Sequence, residues 1–310
     1  MEFATKKELF KFLSENKEKL IAQKRAVKKE VDCSVILKPV LVFDKQKNAH
    51  KAGGEIIDPI NLDSLKVVCI INTTNFLDCH GDVHIPGLWN KSLQENKMIM
   101  HLQEHEMEFD KIIADGDNLK AYAKPFNWSE LGYPYPGTTE ALVFESEILR
   151  KRNEYMMNQY ANGWVRNHSV GMFYVKMDMA INDEEYPNYY EAWKKYYPQI
   201  ANKEVADEKG YFWYVLEAKC IEGSAVPLGS NTATPTLDNG TGKSAKSMME
   251  CPECGCEFEG EPGDECPKCG YVVEACKPKN QPTKVTGKKI EPPKGTQKID
   301  YSYLIKNIKN

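Results

Sequence analysis

Apolar and charged positions alternate with helical spacing over residues 3–30. Phe10, Leu13, Leu20 and Ile21 recur among Lys and Glu with no Pro or Gly, which predicts an amphipathic N-terminal arm (1–33) that packs on the main domain or on a partner. Residues 34–55 mix short apolar runs with a Gly53-Gly54 turn signal, and 65–72, Leu-Lys-Val-Val-Cys-Ile-Ile-Asn, predict a buried strand. A turn at Asp78–Asp82 leads to a short helix near 89–95 and to strands near 97–102, 110–114 and 118–124. The loop Gly132–Gly137 ends at Thr138, a residue type suited to a helix N-cap. From there Thr139–Tyr160 predicts one long helix, because Ala141/Ile148 and Leu142/Leu149/Met156 repeat at seven. Residues 164–176 predict a strand carrying Ser169, and 210–222 another. Between them, 178–209 is a tyrosine-rich, charged insertion with one helix around 188–196. The Gly/Ser/Thr/Asn-rich stretch 229–250 predicts a flexible linker, with its domain boundary placed at 231–250. The pattern is that of an α+β protein with its main domain over 34–230.

Charge and cysteine usage refine this picture. Net charge is −4, from 41 basic and 45 acidic residues, so the bulk balance predicts no polyanion partner. The distribution is uneven: residues 1–31 hold nine Lys/Arg against five acids, and 277–310 hold nine Lys against two. That last segment predicts a basic disordered tail, which could bind nucleic acid. No stretch approaches the ~20 apolar residues of a bilayer span, and Met1–Lys7 lacks a signal-peptide core. Six of the ten cysteines fall between 251 and 276, which points to metal binding in a reducing compartment. Cys251-Pro-Glu-Cys254-Gly and Cys266-Pro-Lys-Cys269-Gly are matching knuckles, each presenting two thiolates on one tight turn. They predict a zinc ribbon over 251–276, with Cys256 and Cys276 spare. Four protein ligands close the site, so this zinc would be structural and supply no catalytic chemistry.

Three dispersed segments carry the candidate catalysis. Asn167-His168-Ser169-Val170-Gly171-Met172-Phe173 sets a serine on a strand beside a glycine. Met98–His105 ends in a histidine, and Cys220-Ile221-Glu222-Gly223-Ser224-Ala225-Val226 holds an acid. Taken singly, Ser169 suits a strand serine bonded to nearby backbone, His105 a surface histidine, and Glu222 a paired carboxylate. Taken in order, with Asp78-Cys79-His80-Gly81-Asp82-Val83-His84-Ile85-Pro86-Gly87-Leu88-Trp89 and with Lys111-Ile112-Ile113-Ala114 after the histidine, they resemble the blocks of the tailed-phage prohead (procapsid maturation) serine proteases. That family is similar to herpesvirus assemblin in fold. The blocks are the early Asp…Gly-Asp…Pro-Gly-aromatic stretch, the strand ending in a histidine, Ser-Val-Gly-Phe, and Glu-x-Ser-x-Val…Ala-Asn. The likeness covers about residues 60–232.

The resemblance implies a β-rich, barrel-like protease domain with surrounding helices. Ser169 would be the nucleophile and His105 the general base. The third member stays open, since assemblin-type sites use a second histidine and phage relatives an acid: Glu222 matches the family's glutamate, Glu217 lies on the same strand, and His168 adjoins the serine. No cofactor would enter catalysis. Substrates would be capsid and scaffold proteins and the chain itself, with self-cleavage in 229–250. Copies of the chain could form a homo-oligomer, no membrane would be involved, and the site of action would be an assembling procapsid in the host cytoplasm. The chain departs from the family pattern in the 178–209 insertion, which could cover the substrate groove, and in its ribbon and tail. Two other classes compete. His80/His84 and His101/His105, with Asp78 and Asp82, could ligate a hydrolytic metal if they lay on helices, although on a strand such pairs sit about 13 Å apart. Without catalysis, the ribbon and Lys-rich tail would make a scaffold or nucleic-acid-binding virion protein.

Overall fold

The computed structural model describes residues 3–26, 62–96, 98–239, 247–250, 253–254, 256–260 and 267–269. The chain divides into two units, Phe10–Ser244 and one joining Met1–Leu9 with Ala245–Asn310. In chain order the elements are α1 Lys6–Ala26, β1 Ser64–Thr73, β2 Asp82–His84, α2 Asn90–Glu95, β3 Met100–Gln103, β4 Ile112–Asp115 and β5 Leu119–Asn127. There follow β6 Thr138–Leu149, α3 Arg150–Ala161, β7 Asn167–Ile181, α4 Pro187–Tyr196, α5 Lys203–Lys209, β8 Tyr211–Val226 and β9 Thr236–Asp238. In the other unit, β10 Ser247–Glu250 pairs antiparallel with β11 Glu257–Gly260.

The larger unit holds two sheets. One is antiparallel in the order β5-β6-β1-β9. The other is built on β8, which takes β7 antiparallel along one edge, from Asn167↔Val226 to Ile181↔Tyr211. Its second edge takes β2 and then β3, both parallel, and β4 pairs with β3. The sequence of β8 opens Tyr-Phe-Trp-Tyr-Val, aromatic and β-branched, and most of its residues are buried, as a strand paired on both edges requires. The expected barrel is corrected: among the described residues the two sheets do not join edge to edge, and no closed barrel forms. They meet face to face at Gly223, where an added Cβ would lie 2.6 Å from Phe144 and 2.7 Å from Ile71. Glycine is what permits that approach.

The helix expected over Thr139–Tyr160 is half wrong. Thr138–Leu149 is strand β6, and only Arg150–Ala161 is helical. Ala141–Phe144 are four consecutive buried residues, the signature of a strand covered on both faces between β1 and β5. The glutamates of β6 are held by other segments. Ser64 donates to Glu147 (2.8 Å), Tyr122 to Glu145 (2.6 Å) and the Gly87 amide to Glu140 (2.7 Å). The expected linker also begins in order. Asn231, Ala233 and Thr234 are buried, and β9 pairs with β1. Their polar character serves backbone groups: Asn231 Nδ2 donates to the Thr73 carbonyl (2.9 Å) and Thr234 Oγ1 to the His168 carbonyl (2.8 Å).

In α1, Phe10, Leu13, Leu20 and Ile21 are buried as the helical spacing predicts, and Lys17 and Lys24 pair with Asp178 and Asp82. The insertion connects β7 to β8. Its helix α4 begins with Pro187 at the first turn, a position that needs no amide hydrogen. Trp193 and Tyr196 then pack on Phe212 and Tyr214 at ring separations of 5.1 and 4.5 Å. Ser169 lies eleven residues up β7 from Ala180, about 35 Å at strand rise. The insertion therefore caps the far end of the hairpin and does not cover the Ser169 end.

Candidate active site

Cross-strand register assembles the site. Ser169 on β7 is the direct antiparallel partner of Ser224 on β8, and Gly171 is the partner of Glu222. Directly opposed residues share a sheet face, with Cβ atoms about 4.5–5.5 Å apart. Glu222 and Ser224, two apart on one strand, also share a face, and the Ser224 hydroxyl donates to Glu222 Oε2 at 2.6 Å. Opposite Glu222 stands a residue with no side chain, which leaves room beside the carboxylate.

His105 reaches this face by a backbone turn. Just past β3, Glu104 and His105 take φ values of +52° and +64°, the left-handed region that non-glycine residues rarely adopt. Three hydrogen bonds hold the turn: the Glu104 amide to the Ala225 carbonyl (2.9 Å), the His105 amide to Ser224 Oγ (3.1 Å) and the Glu106 amide to the Gln103 carbonyl (3.0 Å). His105 Nδ1 then meets Glu222 Oε1 at 2.7 Å. The His105 side chain is 7% exposed and Glu222 0%. A neutral imidazole in this contact puts its proton on Nδ1, facing the carboxylate, and its lone pair on Nε2. That Nε2 is buried and has no hydrogen-bond partner among the described residues. Ser169, 5% exposed, lies on the same face. Among the described residues Ser169 and His105 share no hydrogen bond.

The other sequence candidates lie elsewhere. Glu217 pairs with Lys91 at 3.3 Å near the surface. His168 points to the opposite face from Ser169: its Nδ1 donates to the Thr234 carbonyl (3.0 Å) and its Nε2 meets the Tyr160 hydroxyl (2.9 Å). Burial lowers the His168 pKa to about 4. Of the three candidates for third member, Glu222 is the one in contact with His105. The histidine pairs that suggested a metal hydrolase are split. His101 is on the inner face, its Nδ1 against Ser146 Oγ (2.8 Å) and its Nε2 against the Tyr160 hydroxyl (3.0 Å), while His105 is on the outer face. His84 is buried against Asn72 and burial lowers its pKa, whereas His80 sits in the 78–82 turn, where its ring and the Asp78 and Asp82 carboxylates offer ligand atoms within 4.8 Å of one another.

Cys251 and Cys266 of the expected ribbon, and the 277–310 tail, lie outside the described residues. Cys254 and Cys269 occupy turns. Cys79 is disulfide-bonded.

No family model, curated protein or solved structure matches the chain. The site's meaning therefore rests on its own chemistry.

Sequence reasoning left Ser224 without a role, although its i+2 spacing from Glu222 on a strand was a usable signal. It also missed a second constellation, Cys69, His101 and His168, whose ligating atoms all lie within 4.8 Å of one another. These three come from β1, β3 and β7, with no shared spacing to betray them.

Proposed function

We propose that this chain is a serine endopeptidase in which Ser169 attacks, His105 acts as general base and acid, and Glu222 orients His105. The observation that carries the proposal is the buried His105 Nε2, on the Ser169 face and with no partner among the described residues, with Nδ1 pinned to Glu222.

Ser169 Oγ adds to a peptide carbonyl carbon as His105 Nε2 takes the hydroxyl proton. Glu222 stabilises the imidazolium through Nδ1–H. The tetrahedral adduct collapses, the C–N bond breaks, and His105 returns the proton to the leaving amine. Water, deprotonated by the same imidazole, then hydrolyses the acyl-serine. Ser224 positions the site by bonding both Glu222 Oε2 and the His105 amide.

The substrate class comes from the resemblance to prohead proteases: capsid and scaffold polypeptides during procapsid maturation. In the same proposal Cys251, Cys254, Cys266 and Cys269 hold a structural zinc, and the ribbon with its basic tail recruits the enzyme to the shell.

The test is co-expression with the neighbouring shell protein, comparing wild type with Ser169→Ala by intact mass. Processing should fall on the order of 10⁴-fold or more in the variant, and a fluorophosphonate probe should label Ser169 in wild type. Equal processing by both chains would remove Ser169 from the mechanism, and an unlabelled wild type that cuts nothing would favour a non-enzymatic virion protein.

A further inference from the structure

Beyond the protease reading, a second constellation lies between the two sheets, on the opposite side of β7 from Ser169. Cys69, His101 and His168 are each 0% exposed. The Tyr160 hydroxyl sits among them, 3.0 Å from His101 Nε2, 2.9 Å from His168 Nε2 and 3.7 Å from Cys69 Sγ. We infer that Cys69, His101, His168 and Tyr160 form a binding site for a divalent cation of the zinc class, buried between the sheets.

Four features support it. The donor set is one sulfur, two imidazole nitrogens and one oxygen, from four separate elements, which suits a borderline-soft ion. The spacing fits as well. A tetrahedral ion with bonds of about 2.0–2.3 Å needs neighbouring donors about 3.3–3.6 Å apart, and the Tyr160 contacts bracket that range, so small shifts would admit the ion. The imidazoles are also held from behind. The Thr234 carbonyl accepts from His168 Nδ1, which leaves the His168 Nε2 lone pair facing the cluster, and Ser146 holds His101 Nδ1. That outer-shell arrangement is the one metal-ligating histidines use. The charge can balance: two neutral imidazoles, one thiolate and a phenolate at Tyr160 would neutralise a dication, although burial raises the Tyr160 hydroxyl well above its ordinary value, so the ion would have to displace that proton. Burial also pushes the Cys69 thiol up to about 12, so the ion would have to displace its proton too. Because His168 and Ser169 are consecutive, the ion would brace the strand that carries the hydroxyl.

The test separates this site from the ribbon and does not depend on proteolysis. The full chain with Cys251, Cys254, Cys266 and Cys269 all changed to Ser is produced in cobalt-supplemented medium. About one cobalt per folded chain is expected, with thiolate-to-cobalt charge-transfer absorption, and Cys69→Ala on that background should lose both. Less than a tenth of an ion per folded chain, or cobalt retained after Cys69→Ala, overturns the inference. If the quadruple variant does not fold, zinc-edge absorption on wild type decides. Nitrogen ligands and two zinc per chain support the site, whereas a single all-sulfur zinc, or none, overturns it.

Discussion

Glu222 is fully buried and uses both carboxylate oxygens, one on His105 Nδ1 and one on the Ser224 hydroxyl. Glu222→Gln keeps the shape but changes the protons. Its oxygen can still accept from Ser224, but its amide then donates toward Nδ1, which drives the imidazole proton onto Nε2 and removes the base. The expected loss in kcat is on the order of 10⁴-fold, with KM little changed. Steady-state kinetics on a cleavable shell-protein peptide would check it, with circular dichroism confirming an intact fold. A loss of under tenfold would mean that Glu222 does not orient the base.

At the scale of elements, the 78–82 turn shows how a short polar run is built into the core. Asp78 Oδ1 accepts from the His80 amide at 2.9 Å and the Asp82 amide at 2.8 Å, while Asp82 pairs with Lys24 and accepts from Tyr174 (2.7 Å). Burial, with Asp82 alongside, pushes the Asp78 carboxyl up to about 6, and His84 and Lys24 partly oppose the shift. A carboxyl whose folded pKa is raised contributes stability below the unfolded value of about 4 and loses it as pH rises to about 6. His84, whose pKa burial lowers, works in the opposite sense and loses its contribution as pH falls. Asp78→Asn can keep both amide bonds and removes only the carboxyl titration. It should stabilise the fold at pH 7 by up to about 3 kcal/mol and be near neutral at pH 4. Urea unfolding at the two pH values measures this, and an equal effect at both would contradict it. The β6 strand teaches a related lesson. The seven-residue spacing of Ala141/Ile148 and Leu142/Leu149 suits a helix, and only pairing with β1 and β5 on both edges makes it strand.

For the whole molecule, the two faces of the β8-centred sheet differ. Its outer face carries Ser169, Glu222 and Ser224, and its inner face carries His101 on β3, His168 on β7 and the Gly223 contact with Phe144 and Ile71. The 178–209 insertion closes a separate core of Leu77, Val83, Ala180, Trp193 and Phe212 at the far end. Trp193→Ala should therefore cost about 3–5 kcal/mol of stability and leave fluorophosphonate labelling of Ser169 in the folded protein within about twofold of wild type. Labelling that fell in proportion to a reshaped groove would instead place the insertion over the site.

The chain's own pattern determined the helix at residues 6–26, the strands beginning near Ser64, Asn167 and Tyr211, and the three residue types of the proposed acyl-transfer site. Those are local properties, written in periodicity and in the order of motifs. Tertiary structure decided the rest. It set Glu222, and not Glu217 or His168, against His105, because β7–β8 register and the left-handed turn at His105 determine which carboxylate that imidazole meets. It turned Thr138–Leu149 into strand, and it gathered Cys69, His101 and His168 from three strands. A strand's alternation tells which residues share a face but not which strand lies beside it, since that choice is made by pairing and burial across long stretches of chain.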